Sequence, residues 1–216
     1  LLMIRIVIAD DHAIVREGLK RIVTSAEDMA VVGEAADGTQ VMQQVRGSDF
    51  EVLVLDLSMP GRSGMELIKL VRGEKPKLRI LVLSMHEELQ YAVRAIKSGA
   101  SGYLTKESAP LQLIQVLRKI ASGGAFISTD VAEQLALGSM LGGNAAVHER
   151  LTDREFEVFR LIAVGLSVTE IATRLNLSAK TISTHKANLM QKMNLQNQSE
   201  LIRYAIRHGV TEPLEP

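Results

Sequence analysis

The sequence predicts an α/β protein with a doubly wound, five-stranded parallel sheet, followed by a small all-α domain. Up to about residue 122, short β-branched apolar runs alternate with segments of helical periodicity, and the alternation occurs five times. A glycine-rich stretch follows, and after it only helical signals occur. Strands that alternate with helices form parallel sheets covered by helices on both faces, so these observations define the fold class.

The strand and helix signals follow one another in regular order. The predicted strands are IRIVIA, VVGEA, EVLVLD, RILVLS and GYLT, and the predicted helices after them are 14–23, 41–45, 65–71, 91–96 and 111–120. The runs EVLVLD and RILVLS are apolar almost throughout, as expected of central strands buried on both faces. A sheet of this kind places its ligand site outside the carboxyl ends of the strands.

The second part of the chain reads as a linker and a helical domain. Residues 123–147 are rich in glycine, with Gly142, Gly143 and Asn144 near the end, and contain one short helical segment at 131–137. Thr152 begins a helix that Gly165 ends, and further helices are predicted at 169–175, at 179–193 and at 199–208. We therefore divide the chain into domains at 1–124 and 148–216, joined by a linker at 125–147.

Composition and charge narrow the class of protein. The 216 residues carry 25 basic and 25 acidic side chains and no cysteine, which disfavours a uniformly basic polyanion binder and excludes disulfides and cysteinyl metal sites. The apolar opening segment is too short for a membrane span or signal peptide, so we expect a cytoplasmic protein with no membrane partner. Between residues 174 and 208 one acid, Glu200, accompanies six basic residues: Arg174, Lys180, Lys186, Lys192, Arg203 and Arg207.

Acidic side chains stand at the ends of two predicted strands. Asp10 and Asp11 follow the first strand, and Asp56 ends the third. Because the carboxyl ends of neighbouring parallel strands face one crevice, we expect the three carboxylates to converge. Crowded anions repel unless a cation joins them, so the cluster predicts a Mg²⁺ site, or a site for another divalent cation such as Mn²⁺. The backbone carbonyl of Ser58 is a further expected ligand.

A hydroxyl and an ammonium complete this predicted site. Ser84 ends the fourth strand and Lys106 follows the fifth. A nucleophile, a metal, a hydroxyl and a fixed ammonium suit phosphoryl transfer, in which positioning and charge neutralisation do most of the work. We assign Asp56 as the phosphoacceptor because it stands alone on the central strand, and we expect Lys106 and Ser84 each to bond a phosphoryl oxygen. Taken singly, these residues also fit helix caps and solvated charges, so the joint placement carries the assignment.

The motifs IADDH, LVLDLSMPGRSG, LVLSMH and GASGYLTKES, in this order and spacing, resemble the receiver domain of two-component response regulators. The resemblance implies a flavodoxin-like strand order, phosphorylation of Asp56 by a sensor histidine kinase, and a switch pair formed by Ser84 and Tyr103. In this switch the phosphoryl group draws Ser84 inward, and the Tyr103 ring takes the vacated space. Glu107 stands where many receivers have proline, so we expect a trans peptide after Lys106.

The C-terminal helices predict a DNA-binding element. The helices 169–175 and 179–193 are joined by a tight turn and share an inward face of Ile171, Ala172, Leu175, Ile182, Leu189 and Met193, which is the helix-turn-helix arrangement. The second helix would enter the major groove and present an outward face of Lys180, Thr181, Ser183, Thr184, Ala187 and Asn188. Lysines of this kind also occur on the solvated faces of ordinary helices.

The segments LTDRE, GLSVTEIA and LSAKTISTH resemble the LuxR/GerE-type helix-turn-helix, and a receiver followed by this domain is the layout of the NarL/FixJ class of regulators. The resemblance implies that Lys180 and Lys186 contact the DNA backbone, that Ser183, Thr184 and Ala187 face bases, and that the final helix helps subunits pair. The implied partners are double-stranded DNA, a second copy of the chain on activation, and RNA polymerase as a further candidate.

Functions from three classes are compatible with these residues. The first is a DNA-binding regulator that is no enzyme beyond catalysing its own Mg²⁺-dependent phosphorylation and dephosphorylation. A Mg²⁺-dependent phosphatase or phosphotransferase would use the same acids, but such enzymes usually devote a further domain to substrate selection, where this chain has a helix-turn-helix. A regulator that acts by interaction alone would have a degenerate site, and no member of the acidic cluster is missing.

Overall fold

A computed structural model describes residues 3–59, 64–85, 89–140 and 146–210. Part of the predicted turn after Asp56, residues 60–63, and the linker residues Gly142, Gly143 and Asn144 lie outside these ranges. The chain divides into two compact units, Leu1–Gln134 and Leu135–Pro216. Across the described ranges, none of the helices has the length and apolar character needed to cross a membrane.

The first unit is a parallel sheet with the strand order β2-β1-β3-β4-β5. The strands are β1 (Ile4–Ala9), β2 (Met29–Ala35), β3 (Val52–Asp56), β4 (Arg79–Ser84) and β5 (Gly102–Thr105). The helices are α1 (Ala13–Thr24), α2 (Gly38–Gly47), α3 (Gly64–Glu74), α4 (Leu89–Lys97), α5 (Ala109–Ala121) and α6 (Thr129–Met140), the last of which continues into the second unit. The five parallel strands confirm the predicted doubly wound sheet and its flavodoxin-like order.

The central strands are the most deeply buried part of the first unit. Every residue of β3 is buried, and so is all of β4 after Arg79, as predicted from their apolar runs. On one face of the sheet, Leu19 of α1 and Leu113 of α5 pack in a continuous core with β-strand residues such as Ile8. Burial of each such side chain contributes roughly 1.5–3 kcal/mol. The carboxyl ends of β1 and β3, where the acidic residues lie, are therefore held rigidly.

The second unit contains only helical elements among its described residues. A 3₁₀ turn (Val147–Arg150) precedes α7 (Asp153–Ala163), α8 (Val168–Leu175), α9 (Ala179–Met193) and α10 (Gln198–Arg207). Thr152 and Ser167 each form a capping box with a glutamate three residues later, which confirms the predicted helix start at Thr152. The 3₁₀ turn was not predicted, because four residues carry too little periodicity to be recognised.

Candidate functional site

The acidic residues of the first unit meet at one edge of the sheet. Asp10 follows β1 directly and Asp56 is the last residue of β3, and the two strands pair with Ala9 beside Leu55. This register brings Asp10 and Asp56 side by side. Both side chains are almost fully buried, at 1% and 2% exposure, so their negative charges need compensation from within the protein.

The ammonium of Lys106 supplies part of that compensation. Its Nζ lies 2.6 Å from Oδ2 of Asp10 and 2.8 Å from Oδ2 of Asp56. The backbone N–H of Lys106 donates to the carbonyl of Ser84 at 2.8 Å, so the residue is anchored to the end of β4. Charge-assisted bonds of this length are among the strongest hydrogen bonds in proteins.

Two further residues belong to the cluster. Asp10, Asp11, His12 and Asp56 each offer a ligand atom, and these atoms all lie within 4.8 Å of one another. Nδ1 of His12 lies 2.9 Å from a carboxylate oxygen of Asp11, and the His12 backbone N–H donates to Asp10 at 2.8 Å. Three carboxylates beside one ammonium leave an excess of negative charge, and carboxylate oxygens are the ligands that hard divalent cations prefer. The cluster could therefore bind a divalent ion.

At Asp56 and at Lys106, burial and the neighbouring charges shift the pKa in opposite directions. Burial raises the pKa of the Asp56 carboxyl, and the bonds from Lys106 and from the Ser58 N–H offset this only in part. Burial by itself would lower the pKa of Lys106, but the hydrogen bonds to Asp10 and Asp56 outweigh it and raise the pKa overall. Lys106 therefore remains a cation, while Asp56 holds its charge at a cost.

The remaining predicted residues of this site lie on or beside the same strands. Ser58 donates its backbone N–H to Oδ1 of Asp56 at 3.0 Å, and Ser84 is fully buried at the end of β4. Tyr103 lies one strand further, on β5, with 9% of its surface exposed. The peptide after Lys106 is trans. The structure thus brings Asp10, Asp11, Asp56 and Lys106 into contact distance and sets Ser84 beside them, while the roles of all these residues remain predictions.

His12 is the member of the acidic cluster that the sequence analysis missed. Its place directly after Asp10 and Asp11 was the available signal. A lone histidine after a strand is usually expected to face solvent, and the His12 side chain is 66% exposed. His12 is the N-cap residue of α1, and the turn into this helix brings its side chain to the cluster.

In the second unit, α8 and α9 form the predicted compact pair. All six residues of the expected inward face are buried. Asn176 ends α8 in the left-handed conformation with φ 52°, and Ser178 caps α9 by accepting from the Thr181 N–H at 3.0 Å. Asparagine is one of the few side chains that adopt this conformation readily. The tight turn is therefore encoded by Asn176 and Ser178, two polar residues on either side of Leu177.

The expected outward face of α9 is accessible. Lys180, Ser183, Thr184, Ala187 and Asn188 are exposed, whereas Thr181 and Lys186 are half-buried. Three of these polar groups have internal partners. The hydroxyls of Thr181 and Ser178 share a hydrogen bond of 2.7 Å, Thr184 donates to the carbonyl of Lys180 at 3.0 Å, and Lys186 donates to Gln198 at 2.8 Å. Lys186 is therefore held toward α10, while Lys180 is exposed at the start of the helix.

Lys192 differs from the other cations of this region. Its Nζ lies 2.7 Å from a carboxylate oxygen of Glu155 on α7, and Glu155 is 3% exposed. The buried acid lies outside the stretch in which the sequence analysis counted charges. The local positive excess is accordingly smaller than the sequence indicated, because Lys192 is neutralised within the unit.

Comparisons with known proteins agree with both sites. Residues 6–118 match the model of the response regulator receiver domain, and residues 149–205 match that of the bacterial regulatory proteins of the luxR family. The chain is 33% identical to the response regulator UvrY of Escherichia coli K12, covering 96% of each chain. It is 37% identical to the oxygen regulatory protein NreC of Staphylococcus epidermidis, covering 96% of this chain and 99% of the relative.

Solved structures of another regulator match nearly the full length of the chain. RcsB of Salmonella enterica serovar Typhimurium, bound to the promoter P1flhDC in the presence of the phosphomimetic BeF3⁻, superposes with a TM-score of 0.66 at 36% identity, covering 93% of this chain and 97% of that one. A structure of two RcsB dimers bound to two parallel DNAs matches with a TM-score of 0.59 at 34% identity, covering 97% and 100%. With a receiver domain and a LuxR-type DNA-binding domain in one chain, the protein belongs to the NarL/FixJ-type response regulators, a family of transcription regulators and not of enzymes.

Proposed function

We propose that a sensor histidine kinase phosphorylates Asp56 and that the phosphorylated chain dimerises and binds specific DNA sequences. The observation that carries this proposal is the position of Lys106, whose ammonium bridges the buried carboxylates of Asp10 and Asp56. A fixed cation beside a buried carboxylate suits phosphoryl transfer to that carboxylate, because it stabilises the charge that develops on the phosphoryl oxygens. We assign Asp56 as the acceptor because it ends the central strand β3, whereas Asp10 lies beside Asp11 in the turn before α1.

Asp10, Asp11, Asp56 and the carbonyl of Ser58 are the residues that would hold Mg²⁺ or Mn²⁺. When bound, the ion supplies the positive charge that the acidic cluster lacks. The donor set fits, since three carboxylates converge within 4.8 Å with one further side chain, that of His12. Lys106 then releases its bond to Asp10 or Asp56 in exchange for a phosphoryl oxygen.

Ser84 and Tyr103 act as the switch pair in this proposal. Ser84 is buried at the end of β4, where its carbonyl anchors the backbone of Lys106, and its hydroxyl is the group that would bond a second phosphoryl oxygen. Tyr103 is on the adjacent strand and borders a cavity of about 270 Å³. That space gives the ring room to change position as Ser84 moves.

The second unit binds DNA through the exposed start of α9. Lys180 and Lys186 contact phosphates, and Ser183, Thr184 and Ala187 face the bases, with Thr181 and Asn188 beside them. The structures of RcsB with DNA support this assignment, as does the occurrence of RcsB dimers in one of them. Because bacterial chromosomal DNA is the target, we place the regulator in the cytoplasm.

The test is phosphorylation with acetyl phosphate and MgCl₂, followed by intact-mass measurement of the full chain. We expect one phosphoryl group on the wild type and none on Asp56→Asn. The matched control is Asp49→Asn, because Asp49 is an exposed acid whose side chain pairs with Arg5, and this variant should be labelled like the wild type. Labelling of Asp56→Asn, or steady turnover of acetyl phosphate far beyond one equivalent, would overturn the proposal.

A DNA-binding experiment tests the output. Sequences selected from a random pool with phosphorylated protein should bind it at least tenfold more tightly than they bind Asp56→Asn. Equal affinity of the two proteins for every selected sequence would show that DNA binding does not depend on phosphorylation of Asp56.

A further inference from the structure

The segment that follows α5 is attached to the edge of the sheet. Phe126 pairs with Gly102 in an isolated parallel bridge beside β5. The N–H of Tyr103 donates to the carbonyl of Phe126 at 3.0 Å, and the N–H of Phe126 donates to the carbonyl of Ser101 at 3.1 Å. The first residues of the predicted linker are thus bonded to the backbone of the predicted switch residue itself.

Glycines make this attachment possible. A Cβ atom on Gly102 would lie 3.0 Å from the carbonyl oxygen of Phe126 and 2.8 Å from Cδ1 of Ile120, so a larger residue would push the segment from the strand. Gly123 has φ +97°, and a Cβ on Gly124 would lie 2.9 Å from a backbone oxygen of α5. The turn that returns the chain to β5 therefore requires glycine as well.

The same segment closes one side of a cavity. The cavity of about 270 Å³ is bordered by Leu89 and Ala92 of α4, by Tyr103 of β5, and by Phe126 and Val131 of the segment. Val131 is 4% exposed, and it is the one buried residue of the stretch 129–137. A single apolar side chain therefore anchors the start of α6.

Such an attachment is small compared with the sheet beside it. It consists of two edge hydrogen bonds, one buried valine and the half-buried side chain of Phe126 against the core, whereas β4 and β5 pair over four residues within the core. Segments with few buried contacts open far more often than the strands to which they are attached.

We propose that residues 125–131 form a latch on the edge of β5 that opens without unfolding the sheet, and that the position of the Tyr103 side chain controls its opening. Tyr103 and Val131 border the same cavity, so a ring that moves toward Ser84 changes the space that Val131 faces. The latch in turn holds the backbone of Tyr103, and such coupling acts equally in both directions. The part of this inference that concerns phosphorylation rests on the proposed function.

Hydrogen exchange at single amides of the full chain tests the latch. The amides of Tyr103 and Phe126 report the latch, and those of Ser101 and Lys106, which bond to carbonyls of Ile80 and Ser84 in β4, report the sheet. Val131→Asp should speed exchange at the two latch amides at least tenfold and leave the two sheet amides unchanged. Ala132→Asp is the matched control, because it adds the same charge at the next, exposed residue, and it should change none of the four.

The control by Tyr103 is tested with a double-mutant cycle on the Phe126 amide. The effect of the double variant Tyr103→Ala, Val131→Ala on its exchange rate should differ from the product of the two single effects by a factor of about three or more, as expected for residues that share a cavity. Effects that multiply, or latch amides that exchange in step with the sheet amides in every variant, would overturn the latch.

Phosphorylation with acetyl phosphate tests whether the latch responds to the phosphoryl group. Exchange at Phe126 should accelerate at least tenfold when intact mass shows a phosphoryl group on the chain. A labelled chain with unchanged exchange at Phe126 would overturn the link to phosphorylation. An unlabelled chain would instead contradict the proposed function, while the variants would still decide whether the latch exists.

Discussion

Replacing Lys106 by methionine should destabilise the receiver unit strongly. Methionine keeps much of the length of the side chain, so the main loss is the ammonium 2.6 Å from Asp10 and 2.8 Å from Asp56. Removal of one partner from a buried ion pair costs about 3–5 kcal/mol, because the remaining charge is left uncompensated. We expect a loss of about 3 kcal/mol at pH 7 in the absence of divalent ions. For a unit the size of Leu1–Gln134, this corresponds to a melting temperature lower by about 10 °C.

Calorimetry of the full chain measures this loss, with Lys20→Met as the control. Nζ of Lys20 lies 2.7 Å from Glu34, a similar distance, but the two side chains are 42% and 37% exposed. An exposed pair contributes less than about 1 kcal/mol, so the control should melt close to the wild type. A Lys106→Met variant that melts no lower than Lys20→Met would refute the view that this ammonium compensates buried acids.

The loss should also depend on pH. Burial raises the pKa of Asp56, and removal of the Lys106 ammonium should raise it further. An acid whose pKa is raised by folding binds its proton in the folded state where the unfolded chain has released it, so the folded state gains stability as the pH falls through that range. The deficit of Lys106→Met should therefore shrink between pH 7 and pH 5, and a constant deficit would contradict the electrostatic explanation.

Three further outcomes are expected. Lys180→Ala should lower the slope of log K against log salt for DNA binding by about one. Lys192→Ala should leave this slope nearly unchanged, because Glu155 already pairs with Lys192. Equal changes of slope in the two variants would show that the ion pair between Lys192 and Glu155 opens on DNA. Glu155→Gln should cost the second unit about 1–2 kcal/mol at pH 7 through its weakened capping box and ion pair. Burial raises the pKa of Glu155, but bonds from Lys192 and Thr152 outweigh it and lower the pKa below that of an ordinary glutamate. The stabilisation by Glu155 is therefore present above the pKa of the unfolded chain and is lost as the pH falls through the folded pKa. Melting curves of Glu155→Gln should lack this acid-dependent loss. Mg²⁺ at 100 times its Kd should stabilise the receiver unit by about 2.7 kcal/mol, and Asp11→Asn should reduce that shift if Asp11 is a ligand.

Periodicity and strand-end chemistry were sufficient for most of the fold. The all-buried strands β3 and β4 were recognisable because a strand covered on both faces must be apolar throughout. Asp10, Asp56 and Lys106 could be grouped because parallel strands carry their carboxyl ends to one edge. The tight turn between α8 and α9 was predicted, and the structure forms it with Asn176 in the left-handed conformation and Ser178 as the helix cap.

Other features depended on contacts between residues far apart in the chain. The pair of Lys192 with Glu155 joins α9 to α7, and no local pattern distinguishes Lys192 from a cation that faces solvent. The contact of His12 with the acidic cluster depends on how the chain turns into α1. The bridge from Phe126 to Gly102 requires a glycine at one point of β5 and a turn after α5, which sequence reading treated as linker.

By itself, the sequence determined the elements, their order and the acidic edge, because hydrophobic period and helix capping act within a few residues of the chain. Only the tertiary structure decided which cations are neutralised, how deeply the acids are buried and where the linker attaches. These properties depend on distances of a few ångströms between side chains and backbone from separate elements, and such distances exist only once the chain has packed.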